Sequence, residues 1–202
     1  MTPQKRLFDL GVALLLSVIL VVPFCCVIVV LLCVQGRPIF YVSDRMRAPG
    51  QPFRLVKLRT MSAAMVDSGV SGGDKASRVT KAGQVLRALR IDEIPQLWNV
   101  LRGDMSLVGP RPPLPSYVER FPEVYAQVLR SRPGITGLAT LVFHRHEERL
   151  LKACKTAAET DHVYTTRCIP RKAALDLVYQ RNQTLWLDLM LILRTLGGVL
   201  SR

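Results

Sequence analysis

Between Leu10 and Gln35 the chain carries no charged side chain and is built almost wholly of Leu, Val, Ile, Cys and Phe. A run of this length and composition is able to enter a bilayer, and that constrains everything else the chain can fold into. It fits a cleaved export signal poorly, because it is longer than a usual signal core and no small-x-small cleavage site follows it.

Two dispositions are open. As one straight helix, residues 10–34 would be about 37 Å long, enough to cross a hydrocarbon core of about 30 Å. Pro23 lies at the middle, where a missing donor and a steric clash favour a kink, and each leg would then reach about 18 Å. Lys5 and Arg6 precede the segment and Arg37, Arg45 and Arg47 follow it. Cationic flanks on both sides argue for both ends on the cytoplasmic face, so a helix that enters and returns is favoured. A span stays open, because proline is common in spanning helices and a short N-terminal segment is easily translocated.

The 202 residues suffice for one ordinary domain or two very small ones. Hydrophobic residues make up 49% of the chain, yet 28 Lys and Arg face 15 Asp and Glu, for a net charge of +13. That apolar content excludes a disordered chain, and its concentration in one segment excludes a polytopic membrane protein. The net charge is +1 over residues 1–34, +8 over 35–135 and +4 over 136–202. The positive field therefore lies outside the apolar segment, where it could meet anionic headgroups, phosphorylated substrates or nucleic acid. Charge alone does not choose among them. Three of the five cysteines lie in the apolar segment, and no disulfide framework appears, as suits a reducing face. Cys154, His162 and Cys168, with His144 and His146 nearby, match no common zinc spacing.

After the apolar segment, Ile39–Val42 and Phe53–Thr60 read as short strands around a turn containing Pro49, Gly50 and Pro52. Alternation along the second strand predicts Lys57 and Arg59 on one face, as a solvated edge or as two cations aimed at one phosphate. Residues 65–76 read as a loop. Thr80 offers an N-cap to a helix with Val85, Leu86 and Leu89 on its apolar stripe and Arg87 and Arg90 off it. Pro95 disfavours helix before it and suits the first turn of a new helix, Gln96–Leu101, closed by Gly103. Asp92 and Glu93 thus fall at a helix junction. On a regular helix neighbouring side chains diverge by about 100°, whereas at a break both can turn to one site, and a helix N-terminus favours the charged carboxylate. An isolated acidic pair before a helix is most often a capping pair.

Gly109-Pro110-Arg111-Pro112-Pro113 fixes an extended backbone around one guanidinium, a form suited to bidentate phosphate recognition, and Arg132-Pro133-Gly134 repeats the design. Either could be only a rigid turn. From Arg171 to Leu200 a stripe runs through Leu185, Trp186, Leu189, Leu193, Leu196 and Leu200, as on a helix lying at a membrane surface or packed in the core. No P-loop, GxGxxG, GxSxG or HExxH pattern is present.

With Lys5-Arg6 and Asp9, the proline-containing apolar segment, Lys57-Leu58-Arg59-Thr60-Met61, Arg87, Asp92-Glu93-Ile94-Pro95-Gln96-Leu97, Gly103 to Pro112, Arg132 to Ala139 and Asp176-x-x-Tyr179-x-x-Asn182, the sequence resembles the small monotopic phosphoglycosyl transferases of the bacterial sugar transferase family. The pieces occur in family order over nearly the whole chain, as in a minimal catalytic unit. The resemblance implies an α+β fold, mainly helical with a small β-hairpin. Residues 1–36 would form a re-entrant helix-break-helix membrane segment with its break near Pro23. Residues 37–202 would form a catalytic domain on the cytoplasmic face of the bacterial inner membrane, with interfacial amphipathic helices.

Such enzymes move a phosphosugar from a UDP-sugar to polyprenol phosphate and release UMP. By resemblance Asp92 is the nucleophile on the sugar-bearing phosphorus, Glu93 holds Mg²⁺, and Arg87, Arg111, Lys57 and Arg59 clamp phosphates. A covalent aspartyl-phosphosugar would split one transfer between a soluble donor and a lipid acceptor into two steps. Magnesium prefers oxygen ligands, often one carboxylate plus substrate phosphates. The implied partners are a UDP-sugar, polyprenol phosphate and membrane phospholipids, with no nucleic acid and with self-association into a homo-oligomer left open. Two departures stand out: Val22 precedes the proline where the family often has Ser, and Thr140–His146 replaces an Asn-Gly-Arg-like segment, which bears on sugar recognition. A membrane-tethered basic binding module without catalysis would also explain the charge, but it gives Asp92-Glu93 and the Gly109–Pro113 segment no role.

Overall fold

The computed structural model describes residues 1–62, 69, 70 and 72–200. Helix α1 spans Pro3–Gln35, opened by Thr2, whose Oγ1 accepts from the Lys5 amide at 3.2 Å, and closed at Gly36 with φ 63°. It is one continuous helix through Pro23, so the break expected there is not seen. One stripe faces the protein along its whole length: Lys5, Asp9, Val12, Ala13, Leu16 and Leu20, then Phe24, Val27, Ile28 and Leu31. Those positions recur at the three- and four-residue spacing of one helix face. The opposite side, with Leu7, Leu14, Val18, Ile19, Val22 and Val29, is exposed. A helix apolar all round therefore has two apolar environments to meet, one of protein and one not.

Strands β1 (Phe40–Ala48) and β2 (Gln51–Leu58) form an antiparallel hairpin that pairs Tyr41 with Lys57 and Arg45 with Phe53. It is longer than the sequence pattern predicted, and it turns at Pro49 and Gly50. Asn99 covers the free edge of β2, donating to the Arg54 carbonyl at 2.8 Å and accepting from the Val56 amide at 3.2 Å. Part of the predicted loop over residues 65–76 lies outside the described residues. Gly73–Arg78 forms a 3₁₀ turn instead of loop, anchored where Thr160 Oγ1 donates to Asp74 at 2.9 Å.

Helices α2 (Lys81–Ala88) and α3 (Gln96–Arg102) follow, with the 3₁₀ turn Ile91–Glu93 between them. Thr80 caps α2 as expected, its Oγ1 accepting from the Gly83 amide at 2.9 Å. Of the predicted stripe only Leu86 is buried; Val85 and Leu89 are exposed. Strands β3 (Ser106–Val108) and β4 (Gly134–Thr136) pair in parallel. They tie the two Arg-Pro segments together, with Gly109 donating to Thr136 and Gly134 to Pro110, both at 2.9 Å. The approach is so close that a Cβ on Gly109 would lie 2.2 Å from the Arg132 carbonyl oxygen, which is why glycine is needed there.

Helices α4 (Pro115–Arg120), α5 (Pro122–Val128), α6 (Leu138–Lys152) and α7 (Ala157–Val163), a π turn at Tyr164–Cys168, α8 (Ile169–Arg181) and α9 (Leu185–Leu200) complete the fold. The molecule is mainly helical with two small sheets. The single C-terminal stripe predicted from Arg171 onward is broken at Asn182, and α9 starts afresh with Thr184 Oγ1 accepting from the Leu187 amide at 3.1 Å.

One buried ionic network joins both ends of the chain. Lys5 Nζ lies 2.7 Å from Asp9 and 3.0 Å from Asp188. Asp9 accepts from Ser106 Oγ at 2.8 Å, and Asp188 is 2.6 Å from the Tyr179 hydroxyl. Arg6 donates to the Val100 and Leu101 carbonyls at the end of α3, at 2.6 and 2.9 Å. At the other end of α1, Gln35 donates to the Arg59 carbonyl at 3.0 Å. Both ends of the apolar helix are thus bonded to the same folded body.

Candidate active site

Arg90 ends α2 in the left-handed region, φ 54°, and that turn swings the next residues out of the helix line. Asp92 and Glu93 both end up buried, at 8% and 9% exposure. Their environments differ sharply. Glu93 accepts from Arg111 Nη1 at 3.0 Å on one oxygen and from Arg90 Nη1 at 3.3 Å on the other. Asp92 has no hydrogen bond or ion pair among the described residues, although Lys57, Arg111 and Arg87 all act on it electrostatically. Burial, followed by the neighbouring Glu93, pushes its carboxyl up to about 6 against those three cations. Its oxygens are therefore the ones left available for chemistry.

Of the sequence-predicted cations, three surround this pair. Lys57 extends from β2 with its Nζ 5.3 Å from the centre of the Tyr41 ring. Burial, with Arg111 and Arg45 close by, brings its ammonium down to about 8. Arg87 is braced by Nε donating to Thr60 Oγ1 at 2.9 Å. The turn of α2 behind it packs tightly, since a Cβ on Gly83 would lie 2.1 Å from the Thr60 carbonyl oxygen. Arg111 projects from the proline-fixed segment with 46% of its side chain exposed, so one face of its guanidinium holds Glu93 and the rest is open.

The fourth, Arg59, is placed elsewhere. Strand β2 ends at Leu58, and Arg59 Nη2 donates to the carbonyls of Gln35 and Gly36 at 2.7 and 3.0 Å. It satisfies the open end of α1 instead of joining Lys57.

A shallow cleft opens beside the carboxylates, lined by Arg45, Leu55, Lys57, Gln96, Arg111 and Pro112. Sequence reasoning missed Arg45 and Gln96 as candidate site residues. Arg45 shares a hairpin face with Lys57, and its contacts are long: 3.4 Å to the Pro112 carbonyl and 3.5 Å to Ser43 Oγ. It has no carboxylate partner among the described residues. Burial and the nearby Arg111 hold its guanidinium below the ordinary arginine value. Gln96 is 4% exposed and sits four residues after Asp92, a spacing that could have pointed to it. The half-buried His144 on α6 is held below its usual value by burial and by Arg90 and Arg111; it belongs to the segment that departs from the family pattern.

Taken together these groups form a strongly cationic recess around two carboxylates, one engaged and one free. Such a recess can bind a polyanion and offer it a nucleophile. The donor set also fits a hard divalent cation: a carboxylate keeps acceptor capacity beyond two hydrogen bonds, and Mg²⁺ takes the rest of its shell from phosphate and water.

The sequence matches the bacterial sugar transferase family over residues 1–202. It is 34% identical over 203 residues to a UDP-glucose:undecaprenyl-phosphate glucose-1-phosphate transferase of Caulobacter vibrioides, covering 98% of this chain and 70% of that protein. It is 35% identical to an enzyme of the same name from Klebsiella pneumoniae, over 95% of this chain and 39% of the other. A UDP-N-acetylgalactosamine-undecaprenyl-phosphate N-acetylgalactosaminephosphotransferase of Aeromonas hydrophila is also 35% identical, over 81% of this chain and 36% of its own length. Several of these relatives are thus far longer than the segment they share. A match over its entire length, together with the arginine-ringed carboxylate pair, shows that the chain belongs to the bacterial sugar transferase family.

Proposed function

We propose that this protein transfers a phosphosugar from a UDP-sugar to polyprenol phosphate at the cytoplasmic face of the bacterial inner membrane. The observation that carries this is the contrast within the acidic pair: Glu93 is engaged by Arg111 and Arg90, while Asp92 is buried, without a hydrogen bond or ion pair among the described residues, and faced by three cations.

In the first step a carboxylate oxygen of Asp92 attacks the sugar-bearing phosphorus. The P–O bond to the nucleotide breaks, its electron pair stays on the departing phosphate oxygen, and UMP leaves. In the second step an oxygen of the lipid phosphate attacks the same phosphorus and displaces the Asp92 carboxylate, which is thereby regenerated. Lys57, Arg45 and Arg111 line the pocket and bind phosphate oxygens, and Arg87 adds its charge to the field. Glu93 orients Arg111 and would hold Mg²⁺, which when bound neutralises charge on the pyrophosphate. Gln96 offers an amide to a polar group of the donor.

The membrane disposition is inferred from α1. A helix crossing along the bilayer normal would carry one end away from the domain, whereas Lys5, Arg6 and Gln35 all bond to one body. That geometry argues against a span along the bilayer normal, and the exposed face of α1 and the exposed Trp186, Leu193 and Leu196 of α9 are the surfaces to meet lipid. A re-entrant segment would in addition require the helix to bend at Pro23.

Mixing the protein with a UDP-sugar and Mg²⁺ in the absence of acceptor should release one equivalent of UMP per active chain and add one phosphosugar mass to the peptide containing Asp92. Asp92→Asn should do neither. UMP release only when acceptor is present would exclude the two-step route. Single-residue tags at the two ends of the chain should be accessible from the same side of sealed vesicles, and opposite accessibility would establish a span.

A further inference from the structure

The second Arg-Pro segment has no part in the site above. Arg132 is partly buried, its backbone fixed by Pro133 and by the packing of its carbonyl against Gly109. Among the described residues it has neither a hydrogen bond nor an ion pair. The charges around it are unbalanced. Arg6 and Arg47 are near enough to act on it, and Arg6 already spends its donors on Val100 and Leu101. The acidic groups within range are engaged elsewhere: Asp9 with Lys5 and Ser106, and Asp104 with Asn99 at 3.3 Å and Arg102 at 3.7 Å. A guanidinium withdrawn from water without a counter-ion costs free energy, which an incoming anion would relieve.

Arg132 opens into a shallow cleft lined with Lys5, Ser106, Arg130, Ser131 and Gln183. Val108 also lines it, while Arg111, three residues on, lines the candidate active site, so the two pockets are served by different parts of one rigid segment. The pocket sits between the first turns of α1 and the start of α9. Met1, 47% exposed, lines the pocket itself, and Trp186, 69% exposed, stands in the first turn of α9, three residues after the lining Gln183. Cation and amide donors with exposed apolar side chains at the rim match a ligand with an anionic head and an apolar body.

We propose that this pocket is a headgroup site for an anionic phospholipid of the surrounding bilayer, whose phosphodiester is held by Arg132 and assisted by Arg130. Ser131 Oγ accepts from Gln180 at 3.1 Å, which leaves its hydroxyl hydrogen free to donate to the lipid. The site rests on α1 being lipid-embedded and not on the phosphoryl-transfer chemistry.

The test uses the full chain in a neutral detergent. Its thermal unfolding midpoint is followed with dioctanoyl-phosphatidylglycerol, dioctanoyl-phosphatidylcholine, inorganic phosphate or a short polyprenyl phosphate. Saturating phosphatidylglycerol should raise the midpoint by roughly 3 °C or more, and phosphatidylcholine should not. The rise should vanish in Arg132→Gln and return in Arg132→Lys. Should Arg132→Gln not fold, Arg130→Gln, altered on an exposed side chain, should show a reduced rise, and an unchanged one would overturn the site. Equal shifts with phosphatidylcholine or inorganic phosphate, or a shift with polyprenyl phosphate alone, would overturn the phospholipid assignment. Because the readout needs no turnover, it is scored separately from UMP release, so either proposal can fail without the other.

Discussion

Arg111 Nη1 lies 3.0 Å from Glu93 Oε1, and this pair fixes the orientation of a guanidinium whose remaining donors face the pocket. Arg111→Ala should therefore lower kcat for UMP release by about 10²–10³-fold, the usual cost of a donor lost from a preorganised anion site. Arg111→Lys should not restore it, because an ammonium lacks the planar fork. Arg45→Ala should instead raise KM for the UDP-sugar more than it lowers kcat, since Arg45 is held by long contacts and no carboxylate. Steady-state kinetics with both substrates varied will separate the two.

The pH dependence of kcat/KM should be bell-shaped. In the proposed route Asp92 attacks only as the carboxylate, and its carboxyl is raised to about 6 by burial and Glu93, so the rate should fall as pH drops below about 6. Lys57 carries charge only below its value of about 8, and the rate falls again above that. Lys57→Arg keeps a cation at higher pH and should move the alkaline limb upward without touching the acid limb. A profile flat from pH 5 to 9 would contradict both assignments.

Asp176 on α8 is 7% exposed and has no hydrogen-bond partner among the described residues. Burial raises its carboxyl to about 7, and Lys172 offsets only part of that. An unfolded aspartate titrates near 3.9, so between about pH 4 and pH 7 the folded state holds more protons and stability declines as pH rises. Asp176→Asn should flatten that decline and add about 2 kcal/mol of stability at pH 8. Thermal unfolding across pH 4–8 measures both.

Removing the cation from the buried network should be costly. Lys5→Met would leave Asp9 and Asp188, both 0% exposed, facing each other without a counter-ion, at a cost of about 3–5 kcal/mol. Leu7→Ala, on an exposed side chain two residues away, should change the stability of the detergent-solubilised protein by less than about 0.5 kcal/mol. Equal losses in the two variants would show that the network does not hold α1 in place.

Local signals in the sequence anticipated the backbone around the candidate site. Thr80, Pro95 and Gly103 mark the helix ends that put Asp92 and Glu93 at a junction, and each acts there as expected. The misses are tertiary. Strand β1 continues past Val42 because β2 pairs with it and the Met46 amide donates to the Pro113 carbonyl at 3.0 Å. The polar run Ser43-Asp44-Arg45 carries no apolar alternation to announce that, so Arg45 went unseen. Alternation placed Arg59 beside Lys57, but the unsatisfied carbonyls at the end of α1 captured it. The parallel pairing of β3 with β4 rests on three-residue strands about thirty residues apart in sequence, too short for periodicity to register.

The stripe of α1 from Val12 to Leu31 is lipid-segment by composition and core by position, packing on Leu58, Leu86, Val100 and Met105. During synthesis the α1 stripe thus remains without all of its packing partners until the chain beyond residue 100 has been made. During that interval a bilayer, where α1 is proposed to lie, would shelter it. The remainder, for its part, packs its interior against the same segment. If α1 is held in lipid as proposed, insertion and folding are coupled, and a truncated form lacking α1 should expose Leu58 and Val100 to water and aggregate.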